Sequence, residues 1–326
     1  MSTGLVSVVT NTYTTGYSNS LKPSVDDNIG LFSPTDTPFM ANMSKEKAIQ
    51  RYEEWLEDEL AVAAENAHVE GFDVTTTEGV APARTGNYCQ IFEKDFSVSA
   101  TVEKVAKYGR TSELGRLRML KTKELARDME WNMLNGVQNA GSGSTPRKLK
   151  GAFAWVDTVN GATDGRYHSF SDTPADTNHI TEDILLGVLQ GIWDQGVEAD
   201  TVLCPMTQKR KISKFTDAGR LTINQNADAK KVTMSVRVIE TDMGTVAVLA
   251  ERFIEPTDVS GTKYDKLLVY KKDIFKRLTL RPVKEETLAK TGDSEKRMLV
   301  AEMTLKCSTQ KGLGSVVNLT RVMPAA

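Results

Sequence analysis

Cysteine and histidine are scarce in this chain. Cys89, Cys204 and Cys307 are far apart and odd in number, which argues against a disulfide framework, and none has the paired spacing of a zinc site. His68, His168 and His179 have no acid at ligand spacing, so all six residues read as core or surface positions. No apolar run approaches the roughly 20 residues that a membrane-spanning helix needs. The N-terminus also lacks the basic start of a secretion signal. A net charge of −2 gives no whole-chain attraction to nucleic acid or anionic lipid. These absences point to aqueous, cytosolic surroundings.

Motifs that carry chemistry are missing as well. Gly141-Ser142-Gly143 lacks the third glycine, the preceding strand and the following helix of a dinucleotide site, and Gly312-Leu313-Gly314 fails in the same way. There is no Walker lysine, no His-Glu-x-x-His helix and no Gly-x-Ser-x-Gly elbow. The neighbouring acids Glu53/Glu54 and Glu285/Glu286 point to different sides and read as solvated. The basic clusters Arg147–Lys150 and Lys209–Lys211 lack the interleaved aromatics of a base-stacking platform. No catalytic, cofactor-binding or metal-binding residue is therefore assigned. A large chain without a site fits a self-assembling building block.

What is present is a long amphipathic stretch around which the rest is organised. Leu114, Leu117, Leu120, Leu125, Met129, Met133 and Val137 recur mostly three or four apart and predict a helix over 112–139. Ser112 is its N-cap, and the glycine-serine run 140–144 its stop. Arg116, Lys121, Lys123, Glu124, Arg127, Asp128 and Glu130 fall on the opposite side. Such a helix needs a sheet to lie on, and strands predicted in the tail (267–270, 275–281 and the alternating Leu299, Ala301, Met303, Leu305 and Cys307) are the expected layer.

Before the helix, residues 1–45 read as an extended arm anchored at a few points, among them Phe39 and Met40. Residues 46–102 read as a long two-stranded excursion that returns through Phe96, Val98, Ala100 and Val102. Its acids Glu53, Glu57, Asp58, Glu70 and Asp73 belong to a run without lysine from Arg51 to Glu93, whereas the helix carries Arg116, Arg118, Lys121, Lys123 and Arg127. The two are candidate partners, within one chain or between copies. After the helix, 151–177 reads as loop. Residues 178–255 read as a small α/β unit: a helix capped by Thr181, a buried strand Thr201–Cys204, a helix opened by Pro205, and a hairpin turning at 241–244. In the second helix Lys209, Arg210, Lys211 and Lys214 are placed outward. This unit is inserted between parts of a first unit, 103–177 and 256–326.

Several stretches resemble the tailed-phage major capsid proteins of the Hong Kong 97 type. They include Thr35-Asp36-Thr37-Pro38-Phe39, Glu54-Trp55-Leu56-Glu57-Asp58-Glu59-Leu60, Asn87-Tyr88-Cys89-Gln90-Ile91-Phe92 and Glu124-Leu125-Ala126-Arg127-Asp128-Met129-Glu130. Leu280-Arg281-Pro282, Leu288-Ala289-Lys290-Thr291-Gly292-Asp293 and Glu302-Met303-Thr304-Leu305 continue the pattern, in order, across 34–317. The resemblance implies an α+β Hong Kong 97-type fold. Its parts are an N-terminal arm, an extended β-hairpin loop, a peripheral domain with a long spine helix on a sheet, and an inserted axial α/β domain. It further implies a non-enzymatic major capsid subunit that assembles through hexamers and pentamers into an icosahedral head around double-stranded DNA. Its place would be the virion capsid, assembled in the host cytoplasm.

Partners expected from the resemblance are other copies of the chain, a separate scaffolding protein (many relatives carry a scaffolding extension before the arm, and this chain begins without one), a portal, and a decoration protein. Contact with packaged DNA would be non-specific, and no membrane or cofactor is involved. With no lysine in 52–92, the shell is expected to be non-covalent. The five acids of the excursion are expected to lie over basic positions of an adjacent copy, and the five helix bases are further candidate contacts between copies. The alternatives are a bacterial nanocompartment shell protein of the same fold, or a two-domain enzyme whose site assembles only in three dimensions.

Overall fold

The computed structural model describes residues 35–74, 79, 81–106, 111–157, 165–170, 178–215, 238–259 and 261–323. The first 34 residues of the expected arm, and Val232, Met234 and Val236 of the expected hairpin, lie outside them. The first half of the described chain runs through α1 (Pro38–Asn42), β1 (Ser44–Lys47), β2 (Tyr52–Glu57), β3 (Ala83–Tyr88), β4 (Gln90–Ser99), α2 (Ala100–Lys104), α3 (Glu113–Asn135), α4 (Ala152–Asp157) and β5 (Tyr167–Ser169). Next come α5 (Glu182–Asp194), β6 (Thr201–Cys204), α6 (Met206–Ile212), β7 (Val238–Thr241) and β8 (Gly244–Ala250). The last strands are β9 (Thr257–Val259), β10 (Thr262–Tyr270), β11 (Phe275–Thr287), β12 (Ser294–Cys307) and β13 (Leu313–Leu319).

The described residues form three sheets. A four-stranded sheet has the order β1-β11-β12-β4, antiparallel except for the parallel edge pair β1–β11. A larger sheet runs β5-β13-β10-β6-β8-β7, with β9 against the outer half of β10. The hairpin β2–β3 forms a sheet of its own, paired from Tyr52↔Tyr88 to Glu57↔Ala83. Within β11 the ladder shifts register between Arg281 and Lys284, where Pro282 has no N–H to donate.

The long helix α3 lies on the four-stranded sheet. Ser112 caps it as expected, its hydroxyl accepting from the Gly115 amide at 3.1 Å. Leu125, Met129, Met133 and Leu134 are buried against Phe92 and Phe96 of β4 and Leu299, Ala301, Met303 and Leu305 of β12. The helix ends at Asn135, earlier than its apolar spacing suggests. Gly136 closes it by donating its backbone N–H to the Asn132 carbonyl, and Val137 beyond it is 72% exposed. The glycine-serine run is not the stop; it forms the tip of a small turn bridged Asn139↔Lys148 and Ser142↔Thr145. Glu130, expected on the polar side, is fully buried.

Other expectations need similar correction. Phe96 and Val98 are buried on β4, but Ala100 and Val102 belong to α2, capped by Ser99. Within 151–177, α4 buries Phe153, Trp155 and Val156, so this stretch is not all loop. Of the tail strands, β11 and β12 do form the layer under α3, whereas β10 pairs with β6 and β13 in the larger sheet. Strand periodicity tells which side chains are buried but not which sheet they join.

That larger sheet holds the second core. Val188, Leu189 and Ile192 of α5 and Ile212 of α6 pack on Val202, Val246, Val248, Leu267, Val269 and Val316. Thr181 caps α5 through the Ile184 amide, as the sequence suggests. Lys211, expected to face outward, is buried, and its ammonium donates to the Thr320 carbonyl. Beside it, buried Asp265 accepts from the Thr207 hydroxyl, from Gln208 Nε2 at 2.9 Å and from Arg321 Nε at 2.8 Å, which fastens the C-terminal segment to α6 and β10.

Candidate assembly surfaces

The hairpin is anchored at its base and bare at its end. Trp55 of β2 is in the main core with Trp155 of α4, while the Tyr52 and Tyr88 rings meet at a tilt of 41° with centroids 4.4 Å apart. Gly86 sits under this pair. A Cβ there would come within 2.7 Å of the Glu53 carbonyl and 2.8 Å of Tyr52 Cζ, so only glycine fits. Glu53 accepts from the amides of Ile49 and Gln50, stiffening the entry into β2. Beyond Glu57 the chain runs exposed through 58–74, with Leu60 97% and Val62 91% accessible and Val69 and Val74 open as well. Such a run of exposed apolar side chains on an extended strap is a candidate contact surface. Its internal ties are short-range: the Glu59 amide to Asp58 Oδ1 at 2.9 Å, His68 Nε2 to Asn66 Oδ1 at 2.8 Å, the Phe72 amide to the Val69 carbonyl at 3.2 Å, and the His68–Phe72 stack at 4.2 Å.

The five expected acids are spread along this element: Glu53 at its root, half-buried Glu57 at the end of β2, then exposed Asp58, Glu70 and Asp73. The expected bases lie along α3, and none of the five acids meets any of them within the chain. Arg116 pairs with Glu113 of its own turn at 2.5 Å, Lys121 with Glu124 at 2.8 Å, and Arg118 with Glu285 of β11 at 2.6 Å. Arg127 has its guanidinium over the Phe253 ring at 5.7 Å. Lys123 has no acid partner among the described residues. The strap's own cation is one the sequence did not suggest: Lys311 reaches Glu59 at 3.0 Å.

Two buried or half-buried acids act as hubs that adjacency in sequence concealed. Glu285, expected to be solvated, holds both Arg118 and Arg297 (2.7 Å). Glu302, in the middle of β12, accepts from Arg147 at 2.7 Å and Arg281 at 2.9 Å. The Arg147 member of the basic cluster is thus spoken for internally, and Lys150 caps the Trp155 ring at 4.0 Å. All three cysteines are buried; burial pushes the thiols of Cys89 and Cys204 up to about 12 and raises that of Cys307 as well. Among the described residues, no group of three or more His, Cys, Asp or Glu is placed to hold a metal ion, and no helix is long and apolar enough to cross a membrane.

Comparison with known proteins decides what these surfaces belong to. A family model described as the SU10 major capsid protein matches residues 8–320. The chain belongs to the SU10 major capsid protein family. It is a structural capsid subunit, and the family implies a non-enzymatic role. A curated relative, the major capsid protein of Escherichia phage Phieco32, is 27% identical over 332 residues, covering 88% of this chain and 91% of its own. Among solved structures, the capsid of a native GTA particle matches with TM-score 0.65 and 11% identity, over 92% of this chain and 96% of that one. A Microbacterium phage Oxtober96 structure matches with TM-score 0.60, 12% identity and coverages of 91% and 96%. The SrpI encapsulin of Synechococcus elongatus PCC 7942 matches with TM-score 0.55, 9% identity and coverages of 92% and 95%. These likenesses show the Hong Kong 97-type fold expected from the sequence. For a capsid protein of this family, the place of action is the virion capsid.

Proposed function

We propose that the subunit assembles through hexamers and pentamers into an icosahedral head around double-stranded DNA, built in the host cytoplasm. The exposed strap 58–74 lies over a neighbouring copy. The observation that carries this reading is the strap itself: it projects Leu60, Val62, Val69 and Val74 into solvent from a base locked in the subunit's own core. Only another surface can bury them, and a closed shell of identical copies supplies one at every position. The four-stranded sheet with α3 serves as the peripheral domain and the larger sheet with α5 and α6 as the axial one. The acids Glu53, Glu57, Asp58, Glu70 and Asp73 meet basic side chains of the adjacent copy. Among α3 residues, Lys123 is the base best placed for this, because Arg116, Arg118 and Lys121 already hold acids of their own chain. The reading brings with it scaffolding, portal and decoration proteins and non-specific contact with the packaged DNA.

The test is direct. Purified protein is imaged by negative stain, beside the charge-reversed double variant Glu57→Lys, Asp58→Lys. Closed shells from the parent chain and folded, unassembled subunits from the variant are expected. Normal shells from the variant would sink the electrostatic part, and a parent chain that stays monomeric at high concentration would sink the whole. Nucleic acid rather than enzyme inside the particles separates a phage head from a cargo-enclosing compartment of the encapsulin kind.

A further inference from the structure

Two acids are buried together where no cation neutralises them. Glu130 of α3 is fully buried and turns both carboxyl oxygens to the start of α1. Oε1 accepts from the Phe39 amide at 2.7 Å and Oε2 from the Met40 amide at 2.8 Å. Glu251, just past β8, is buried too, and its Oε1 accepts from the amides of Arg252 at 2.8 Å and Phe253 at 2.9 Å. The other oxygen of Glu251, Oε2, is buried and finds no donor among the amides and side chains around it. The group it can bond is the Glu130 carboxyl next to it, once that carries a proton.

Three segments meet here. The N-terminal anchor 37–42 hangs on Glu130, and the 251–255 segment hangs on Glu251. Asn135 of α3 ties the second segment again, donating to the Phe253 carbonyl at 2.7 Å and accepting from the Glu255 amide at 3.0 Å. The other groups facing the pair are the buried phenol of Tyr270 on β10, with Asn42 of α1 beside it and Asp200 acting on it. Arg127 of α3 lies over Phe253, and Arg277 of β11 reaches the Met40 sulfur at 3.7 Å; neither forms an ion pair with Glu130 or Glu251. Two ionised carboxylates side by side in this setting would be strongly disfavoured. One proton removes the repulsion and supplies the missing donor.

We propose that Glu130 and Glu251 share one proton and form a latch, pinning the N-terminal anchor 37–42 to α3 and to the 251–255 segment while the proton is held. Burial, and then the neighbouring Glu251, push Glu130 up to about 8, and burial raises Glu251 as well. When the anchor opens, both acids meet water and ionise in the ordinary carboxylate range. The closed latch therefore contributes its full stability in acid, loses it as pH rises from that range, and has none left to lose above about 8. Opening should grow by up to about tenfold per pH unit for one proton, then level off.

Hydrogen exchange of peptides spanning 37–43 in the full-length chain, corrected for the intrinsic pH dependence of exchange, reads this equilibrium. The corrected opening should climb from mildly acidic pH to about 8 and then flatten. In Glu130→Gln the climb should collapse, because the side-chain amide donates to Glu251 at every pH; with one oxygen left to accept from the Phe39 and Met40 amides, opening should be higher throughout but flat. If that variant does not fold, the parent chain still decides: an infrared band of a protonated carboxyl should persist at neutral pH and vanish above about 8. Flat corrected exchange in the parent chain, or no protonated carboxyl at neutral pH, overturns the latch.

Discussion

Trp55 and Trp155 pack with ring centroids 5.8 Å apart and planes at 48°, joining the first strand of the projecting hairpin to the helix that follows the long helix α3. Lys150 covers the Trp155 ring at 4.0 Å, and Lys306 approaches the Trp55 ring at 5.9 Å, so the contact is apolar in the middle and cationic at its rim. The subunit thus holds the root of its strap as firmly as its own core. The fully exposed part of the strap begins past Glu57.

Replacing Trp55 with alanine should therefore damage the subunit itself. Emptying a buried indole site costs about 3–5 kcal/mol, and the lower figure applies here because the edge of Trp55 is near solvent. Denaturant unfolding should show that loss, while Leu60→Ala, at a 97% exposed position, should leave unfolding unchanged and weaken only assembly.

Glu302 makes a second stability test. Its buried carboxylate faces two guanidiniums, and Glu302→Gln leaves both cations with a single neutral acceptor. Breaking a buried pair costs about 3–5 kcal/mol, which falls toward 2 kcal/mol here because the Arg281 side chain is half exposed and hydrated. The unfolding midpoint should drop accordingly. Arg281→Ala should cost clearly less, since Arg147 remains.

How much of this was legible in the sequence follows from the range of each interaction. Ser112 and Thr181 could be read as caps because each bonds an amide three residues on. The faces of α5 and β12 could be read because helix and strand repeats are local. Glu130 and Lys211 could not: they bond atoms 91 and 109 residues away, and a charged residue at a helical position looks solvated until those partners are known. The end of α3 at Asn135 is hidden in the sequence because Val137 continues the apolar spacing. What stops the helix is the close approach of a second backbone at Gly136, where a Cβ would lie 2.8 Å from the Leu149 carbonyl. Of the candidate contact surface, the charge contrast was legible. The internal pairing of Arg116, Arg118 and Lys121 was not.

That close approach gives a third prediction. A Cβ at Gly151 would lie 2.6 Å from the Gly136 amide nitrogen and 2.8 Å from the Leu134 carbonyl, both main-chain atoms that cannot swing aside. Gly151→Ala should destabilise by about 1–3 kcal/mol through overpacking, seen as a lower thermal midpoint. Gly143→Ala, where nothing lies within 4 Å, tests the converse: its only burden is the left-handed φ of +55°, so its loss should be smaller.

The cysteines supply a pH-dependent one. With thiols held near 12 by burial, Cys89 and Cys204 should resist an aromatic disulfide reagent at neutral pH and react fully once the chain is unfolded. An unfolded thiol ionises near 8.5. The folded state therefore binds the proton more tightly, and its stability should decline as pH rises from about 8.5 toward 12. Reaction of either thiol in the native subunit at the rate of a free one would contradict the burial argument.

The bases of α3 separate folding from assembly most sharply. Arg118 holds Glu285 at 2.6 Å and so bridges the helix to β11 beside Arg297, whereas Lys123 has no acid partner among the described residues. Arg118→Ala should lower the unfolding midpoint modestly, by about 0.5–1 kcal/mol, because its side chain is largely solvated. Lys123→Glu should leave that midpoint within about 0.5 kcal/mol of the parent. If the acidic strap of a neighbour rests on this helix, Lys123→Glu should nonetheless raise the concentration needed for shells to form, and pairing it with Asp58→Lys should restore part of the loss. Light scattering of the parent, Lys123→Glu, Asp58→Lys and the double variant across a concentration series makes the comparison. Equal assembly by Lys123→Glu and the parent would move the strap's partner surface off α3.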